Sequence, residues 1–165
     1  MTIHTSHPFA DPDPDPVRRF RGRLTGTVAL ITSGGAGLTV SSLMVANGEP
    51  ARVLALVDPD SDLADEVGRT GRAVVQLLSW SHRDLAEAFA GTAPSPGGPF
   101  RTGRFEDTEW GPRLADASTW AGTALESTTT VGWSALLTLA VESVTVGDDD
   151  EPLVHRRGRY VRPAG

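Results

Sequence analysis

The chain has 165 residues, 15 basic and 21 acidic side chains, a net charge of -6 and no cysteine. That length fits one domain able to bury its own core, and the missing cysteines exclude disulfides, thiolate catalysis, zinc–cysteine sites and iron–sulfur clusters. All fifteen cations are arginine, which removes Schiff-base lysines and phosphate-loop lysines; the acidic balance argues against a surface that tracks nucleic acid.

Residues 1–16 end in the repeat Asp11-Pro12-Asp13-Pro14-Asp15-Pro16. Proline removes donors and alternating carboxylates repel, so this stretch is expected to be a disordered tail, with a folded domain over 17–163. No basic start with an apolar stretch marks a signal peptide, and no apolar run approaches the ~20 residues of a membrane span, so a cytoplasmic protein without a membrane partner is expected.

Thr27 to Thr32 is a β-branched run closed by Ser33-Gly34-Gly35, and Leu38 to Val45 follows as a second strand, which together predict a hairpin. Arg52 to Val57 is a third strand. Ser61 caps a short helix with Leu63 and Val67 on one face, ended by Gly68 and Gly71. Ala73 to Leu78 is a fourth strand, and a second helix starts at Ser81, with Asp84 at capping-box spacing, and stops at Gly91. Ala93 to Pro112 is a long Gly- and Pro-rich loop. Ser118 to Val131 and Ser134 to Val146 are two long strands joined at Gly132-Trp133, and Pro152–His155 and Arg159–Val161 pair around Gly158. Seven or eight strands in hairpin order with two helices predict an antiparallel barrel rather than a doubly wound sheet.

The four histidines, His4, His7, His82 and His155, show no ligand-pair spacing, so no metal site is expected. Asp148 to Glu151 lacks the glycine and distal glutamate of a calcium loop. No Gly-x-Ser-x-Gly elbow occurs. Gly34-Gly35-Ala36-Gly37 follows a strand but precedes a β-branched segment, so it fails the context of a dinucleotide fingerprint.

The informative series is Gly37-Leu38-Thr39-Val40-Ser41-Ser42-Leu43, the strand to Val57 with Asp58 and Ser61, the run Ala73 to Leu78, Leu85 to Gly91, and Pro152 to His155 with Arg157-Gly158-Arg159-Tyr160. In this order, over roughly Leu24 to Arg162, it resembles the flavin reductase-like family of FMN-binding split barrels. The resemblance implies a mainly β protein with short α excursions: a six-stranded antiparallel Greek-key split β-barrel, a homodimer, with FMN, or FAD in its place, near the dimer interface. It places Thr39, Val40, Ser41 and Ser42 along the isoalloxazine and ribityl. Asp58 and Ser61, and the loop of Phe89, Ala90 and Gly91, fall toward the phosphate. The activity implied is hydride transfer from NADH or NADPH to the flavin, with a flavin-using monooxygenase as partner. No side chain is assigned a catalytic role, because the cofactor carries the chemistry.

Charge complicates the phosphate end. Ser61 at a helix start favours an anion, yet Asp60, Asp62 and Asp65 crowd it, leaving Arg83 or Arg101 to compensate. The resemblance also breaks where the family's reductases carry Gly-Asp-His: this chain reads Gly132-Trp133-Ser134, so Trp133 and Ser134 occupy the nicotinamide side. Gln76 stands for a common asparagine and Ser127 for a common cysteine. The alternative is a non-catalytic FMN-binding or dimeric interaction module that has lost the nicotinamide site.

Overall fold

A computed structural model of the chain describes residues 15–149 and 151–162. Most of the expected tail, residues 1–14, lies outside them, as does Asp150. Among the described residues, helix begins before Val17. Helix α1 (Pro16–Gly22) starts on Asp15, whose carboxylate accepts the Val17 N–H at 3.1 Å. Proline at the first helical position carries no amide to waste, so the last Asp-Pro pair begins a helix.

The strands follow as β1 (Gly26–Thr27), β2 (Ala29–Ser33), β3 (Ala36–Val40), β4 (Leu43–Ala46) and β5 (Arg52–Val57). Then come helix α2 (Asp62–Thr70), β6 (Arg72–Leu77) and, after a 3-10 turn at Trp80–His82, helix α3 (Arg83–Phe89). Strands β7 (Phe105–Thr108) and β8 (Gly111–Leu114) form a hairpin inside the stretch read as loop. The two long strands are β9 (Trp120–Val131) and β10 (Ser134–Thr145), and a last hairpin joins β11 (Val154–Arg156) and β12 (Arg159–Val161).

The main sheet has seven strands in the order β3-β2-β6-β9-β10-β5-β4, all antiparallel. Its two edges, β3 and β4, are consecutive in the chain. The run read as one strand from Leu38 to Val45 therefore serves both: its first half pairs with β2, its second with β5. This joins the sheet's edges and curls it into a barrel of six strands, split at Ser41–Ser42. The crossed order is that of a Greek key.

Two cores stabilise it. Inside the barrel, Ile31, Val53, Ala55, Val75, Leu137 and Leu139 meet Leu63 and Val67 of α2. Ser61 caps α2 by accepting the Ala64 N–H at 3.2 Å, and Gly71 closes it at φ 72°. Leu63 and Val67 are fully buried, each contributing about 1.5–3 kcal/mol by leaving water. Outside the wall, Leu30, Leu78, Leu85, Phe89, Leu114 and Leu153 form the second core, under α3 and the β7–β8 hairpin. Gly37 makes this docking possible: a Cβ there would lie 2.6 Å from a Phe89 ring carbon.

Between the cores a polar knot crosses the wall. The buried Gln76 donates from Nε2 to Thr32 Oγ1 at 3.0 Å and accepts the Leu114 N–H at 2.6 Å, while Thr32 donates to the Pro112 carbonyl. The residue standing for the family's asparagine thus anchors the β7–β8 hairpin to the barrel.

Candidate functional site

The split in the barrel is the place to look for binding. An edge strand carries peptide N–H and C=O groups without a strand neighbour, and the Ser41–Ser42 break lies where β3 leaves β2 and β4 joins β5. Ser41 and Ser42 are both exposed. The Ser42 hydroxyl donates to the Leu56 carbonyl at 2.7 Å, and the Leu56 N–H donates to the Ser42 carbonyl at 3.2 Å. That double contact pins the break to β5. On the other side, the Ser41 carbonyl lies 3.2 Å from where a Cβ on Gly26 would stand, so β1 packs closely against it.

Strand register gathers further residues around this point. Asp58 is two residues beyond Leu56, roughly 7 Å along a strand. Ala135 pairs with Val57, which sets Ser134 beside Asp58 and brings the Gly132-Trp133-Ser134 turn to the same end of β5. Ser41, Ser42, Asp58, Ser61, Trp133 and Ser134 thus share one mouth of the barrel. Trp133 stands out into solvent at 93% exposure.

Several side chains have roles other than those expected. The Thr39 hydroxyl donates to the Ala86 carbonyl at 2.7 Å, tying β3 to α3. Val40 is a core residue at 4% exposure. Both side chains are thus turned to the fold, and what this stretch leaves free is the peptide groups of an edge strand. Phe89 is buried among Phe100 and Phe105, with ring centroids 5.0 and 5.9 Å away, because α3 carries its apolar side against the barrel wall. Only Ala90 and Gly91 of that loop are exposed, at the Gly37 end of β3.

The Asp58–Ser61 turn closes on itself. The Asp58 carboxylate accepts the Asp60 N–H at 2.9 Å, its carbonyl accepts the Ser61 hydroxyl at 2.7 Å, and the Ser61 oxygen caps α2. With Asp62 and Asp65 in the first turn, this helix start carries fixed negative charge, and neither proposed cation reaches it. Arg83 donates to the Trp80 carbonyl at 2.9 Å and stacks over that ring at 4.0 Å. Arg101 lies exposed in a 3-10 turn at Pro99–Thr102. The edge at Ser41–Ser42 is open to a flat ring, whereas the carboxylates of the Asp58–Ser61 turn and the first turn of α2 would repel a phosphate.

Two polar clusters escaped the sequence reading. His82, not Asp84, completes the cap of the second helical segment. Its Nδ1 accepts the Ser79 N–H at 3.0 Å, so Nε2 carries the proton and faces Asp116 at 3.1 Å. A cleft of about 500 Å³ opens beside it. The spacing Ser79-x-x-His82 was the available signal. The second cluster is at the last hairpin. Burial first, and Glu87 next, push the Tyr160 phenol well above its ordinary value; burial first, then Arg21, push the His155 imidazole down. Trp110 is pinned over Gly122 and Trp120, donating to Glu142 at 2.8 Å. Among the described residues no group of His, Asp and Glu is arranged to hold a metal, and no helix is long and apolar enough to cross a membrane.

Known proteins fit this geometry. A curated relative, FMN reductase (NADH) RutF 2 of Methylorubrum extorquens strain PA1, is 28% identical over 155 residues, spanning 88% of this chain and 86% of its own. The NADH:FAD oxidoreductase SgcE6 of Streptomyces globisporus C-1027 superposes with a TM-score of 0.81 at 23% identity, over 90% of this chain and 91% of its own. The styrene monooxygenase flavin reductase of Pseudomonas putida S12 does so with a TM-score of 0.80 at 21% identity, over 91% and 98%. The flavin reductase like domain matches residues 21–164. With the split barrel and its open edge, that match makes this chain a member of the flavin reductase-like family.

Proposed function

We propose that the chain is an NAD(P)H:flavin oxidoreductase that holds its flavin, FMN or FAD, along the open edge from Thr39 to Ser42. The observation that carries the reading is the break at Ser41–Ser42, where peptide groups and an exposed hydroxyl stand on a rigid frame at the barrel mouth. A bound flavin supplies the hydride acceptor. The chain's own work is to bind and orient. Edge-strand peptide groups offer donors and acceptors to a flat heterocycle, while the Thr39 and Ser42 hydroxyls hold β3 and the break in place through Ala86 and Leu56. Ser134, beside Asp58, borders the nicotinamide side; no side chain has to deliver a proton for hydride transfer.

Two copies of the chain complete the molecule. Strand register sets Met44 beside Leu54 and Leu56 beside Leu136 on the outer sheet face. Met44 is 63% and Leu56 38% exposed, and Val131 and Trp133 extend the apolar surface. Such a continuous patch favours a second subunit. A flavin-using monooxygenase as recipient of the reduced flavin is supported by the likeness to a styrene monooxygenase reductase.

The test is anaerobic. Purified protein loaded with FMN or FAD is mixed with NADH or NADPH in a stopped-flow cell. Bleaching of the flavin band on the timescale of turnover is the expected result. Flavin bound tightly with no bleaching by either nucleotide overturns the reductase reading and leaves a binding module.

A further inference from the structure

Seven of the fifteen arginines lie in two short segments at opposite ends of the chain: Arg18, Arg19, Arg21 and Arg23, then Arg156, Arg157 and Arg159. The fold joins them. The Arg157 N–H donates to the Gly22 carbonyl at 2.7 Å, and Gly26 of β1 pairs with His155 of β11. In a chain of net charge -6 this is a local concentration of one sign. Among the described residues no carboxylate pairs with any of the seven, whereas Arg52, Arg69, Arg72, Arg104, Arg113 and Arg162 each face a glutamate. Arg157 foremost, then slight desolvation, then Arg19 and Arg156 hold the exposed Arg23 guanidinium below its ordinary value. Like charges gathered this way oppose folding and attract an anion.

The patch has a shape as well as a sign. Pro16, Arg19, Phe20 and Arg23 line a groove of about 270 Å³ in which Phe20 is 70% exposed. A flat aromatic face flanked by guanidinium forks suits a base stacked over phosphates: the ring takes the base, the forks take the phosphate oxygens. A short stretch of chain links the groove to the proposed cradle. Gly26, packed against the Ser41 carbonyl, is four residues from Gly22, at most about 14 Å of chain.

We propose that Arg19, Phe20 and Arg23, backed by Arg156 and Arg157, form a subsite for the adenosine diphosphate half of a dinucleotide whose reactive ring lies at the Thr39–Ser42 edge. The subsite supplies the cations that the Asp58–Ser61 turn lacks. Its place in catalysis rests on the reductase reading, but the affinity for adenosine diphosphate does not.

The experiment uses the full chain, an Arg19→Glu/Arg23→Glu variant, Phe20→Ala, and Arg156→Glu, which lies outside the helix. Binding of ADP itself is measured by calorimetry at low and high salt. Wild-type protein is expected to bind ADP, more weakly as salt rises, and each variant to lose at least tenfold. In parallel, kcat/KM for NADH is compared with that for reduced nicotinamide mononucleotide, and the Kd of FAD with that of FMN. A tenfold fall in either the NADH-to-mononucleotide ratio or the FAD-to-FMN affinity ratio supports the subsite and tells which dinucleotide uses it. ADP binding and both ratios unchanged in all variants overturn it. So does loss of binding to anionic vesicles or duplex DNA in the variants while ADP and the ratios stay unchanged. If wild-type protein binds ADP through these residues yet reduces no flavin, the subsite stands and the reductase reading falls.

Discussion

The polar residues of the barrel wall and the arginines at the chain ends obey opposite rules. In the wall, Thr32, Gln76, Thr39 and Ser42 each bond within the protein, and among the described residues no buried side-chain nitrogen or oxygen lacks a partner. At the ends, Arg19, Arg21, Arg23, Arg156 and Arg157 crowd together without a carboxylate among the described residues. A polar group whose bonding capacity is consumed internally builds the frame; one left with unmet charge at the surface awaits something from outside. By that criterion Thr39 and Ser42 hold the frame, while the proposed flavin contacts fall to Ser41 and the edge peptides and the proposed anion site to the arginine patch.

The largest effect that would break this comparison belongs to the wall. Gln76→Leu keeps the volume but orphans the Leu114 N–H and removes a donor to Thr32. A buried group left unsatisfied costs about 1–3 kcal/mol, and a coupled network adds to it. A loss of about 3 kcal/mol in a urea melt is expected, together with loosening of the β7–β8 hairpin in hydrogen exchange. A neutral Gln76→Leu would show that the knot is incidental.

Smaller losses are expected where hydroxyls hold the cradle. Thr39→Val and Ser42→Ala each remove one partly exposed hydrogen bond, at about 1 kcal/mol of stability. Their flavin affinity should fall only as far as the edge strand loosens. Rescue of Thr39→Val by Thr39→Ser, which restores the donor to Ala86, separates positioning from direct contact.

The smallest effect is at the chain ends. Burial, then Arg21, lowers the folded pKa of His155 from 6.5. Below 6.5 the unfolded chain binds a proton that the folded one resists. The stabilisation is therefore complete above that value and is lost as pH falls toward the folded pKa. The ring is only partly buried, so the slope is shallow. His155→Asn should flatten the stability–pH profile in that window, and an unchanged profile would assign the slope to another group.

Periodic and capped elements were legible in the sequence. Ser61 with Leu63, Val67 and Gly71 reads as α2 because each signal is local. The paired long strands around Gly132 read as they fold for the same reason. What the sequence hid depends on distant partners. The β7–β8 hairpin has little apolar alternation and is held by Gln76, 38 residues from Leu114. The single run from Leu38 to Val45 splits because its halves pair with different strands. The arginine patch joins segments more than 130 residues apart through one backbone bond between Arg157 and Gly22, so neither segment announces it. The proposed flavin edge comes from the order of its motifs; the contacts of Thr39, Val40 and Phe89 lie within the fold, since sequence shows that a hydroxyl or ring is present but not where it points.

The central claim is that the flavin lies on the open edge at Ser41. The direct measurement is the Kd of FMN and FAD, by quenching of flavin fluorescence, for wild-type protein and Ser41→Phe, with thermal melts on the same samples. Ser41 is exposed, so a larger side chain leaves the fold intact while filling the edge. An unchanged Tm with at least tenfold weaker flavin binding, about 1.4 kcal/mol, is the predicted result; equal affinity in a folded variant would place the flavin elsewhere.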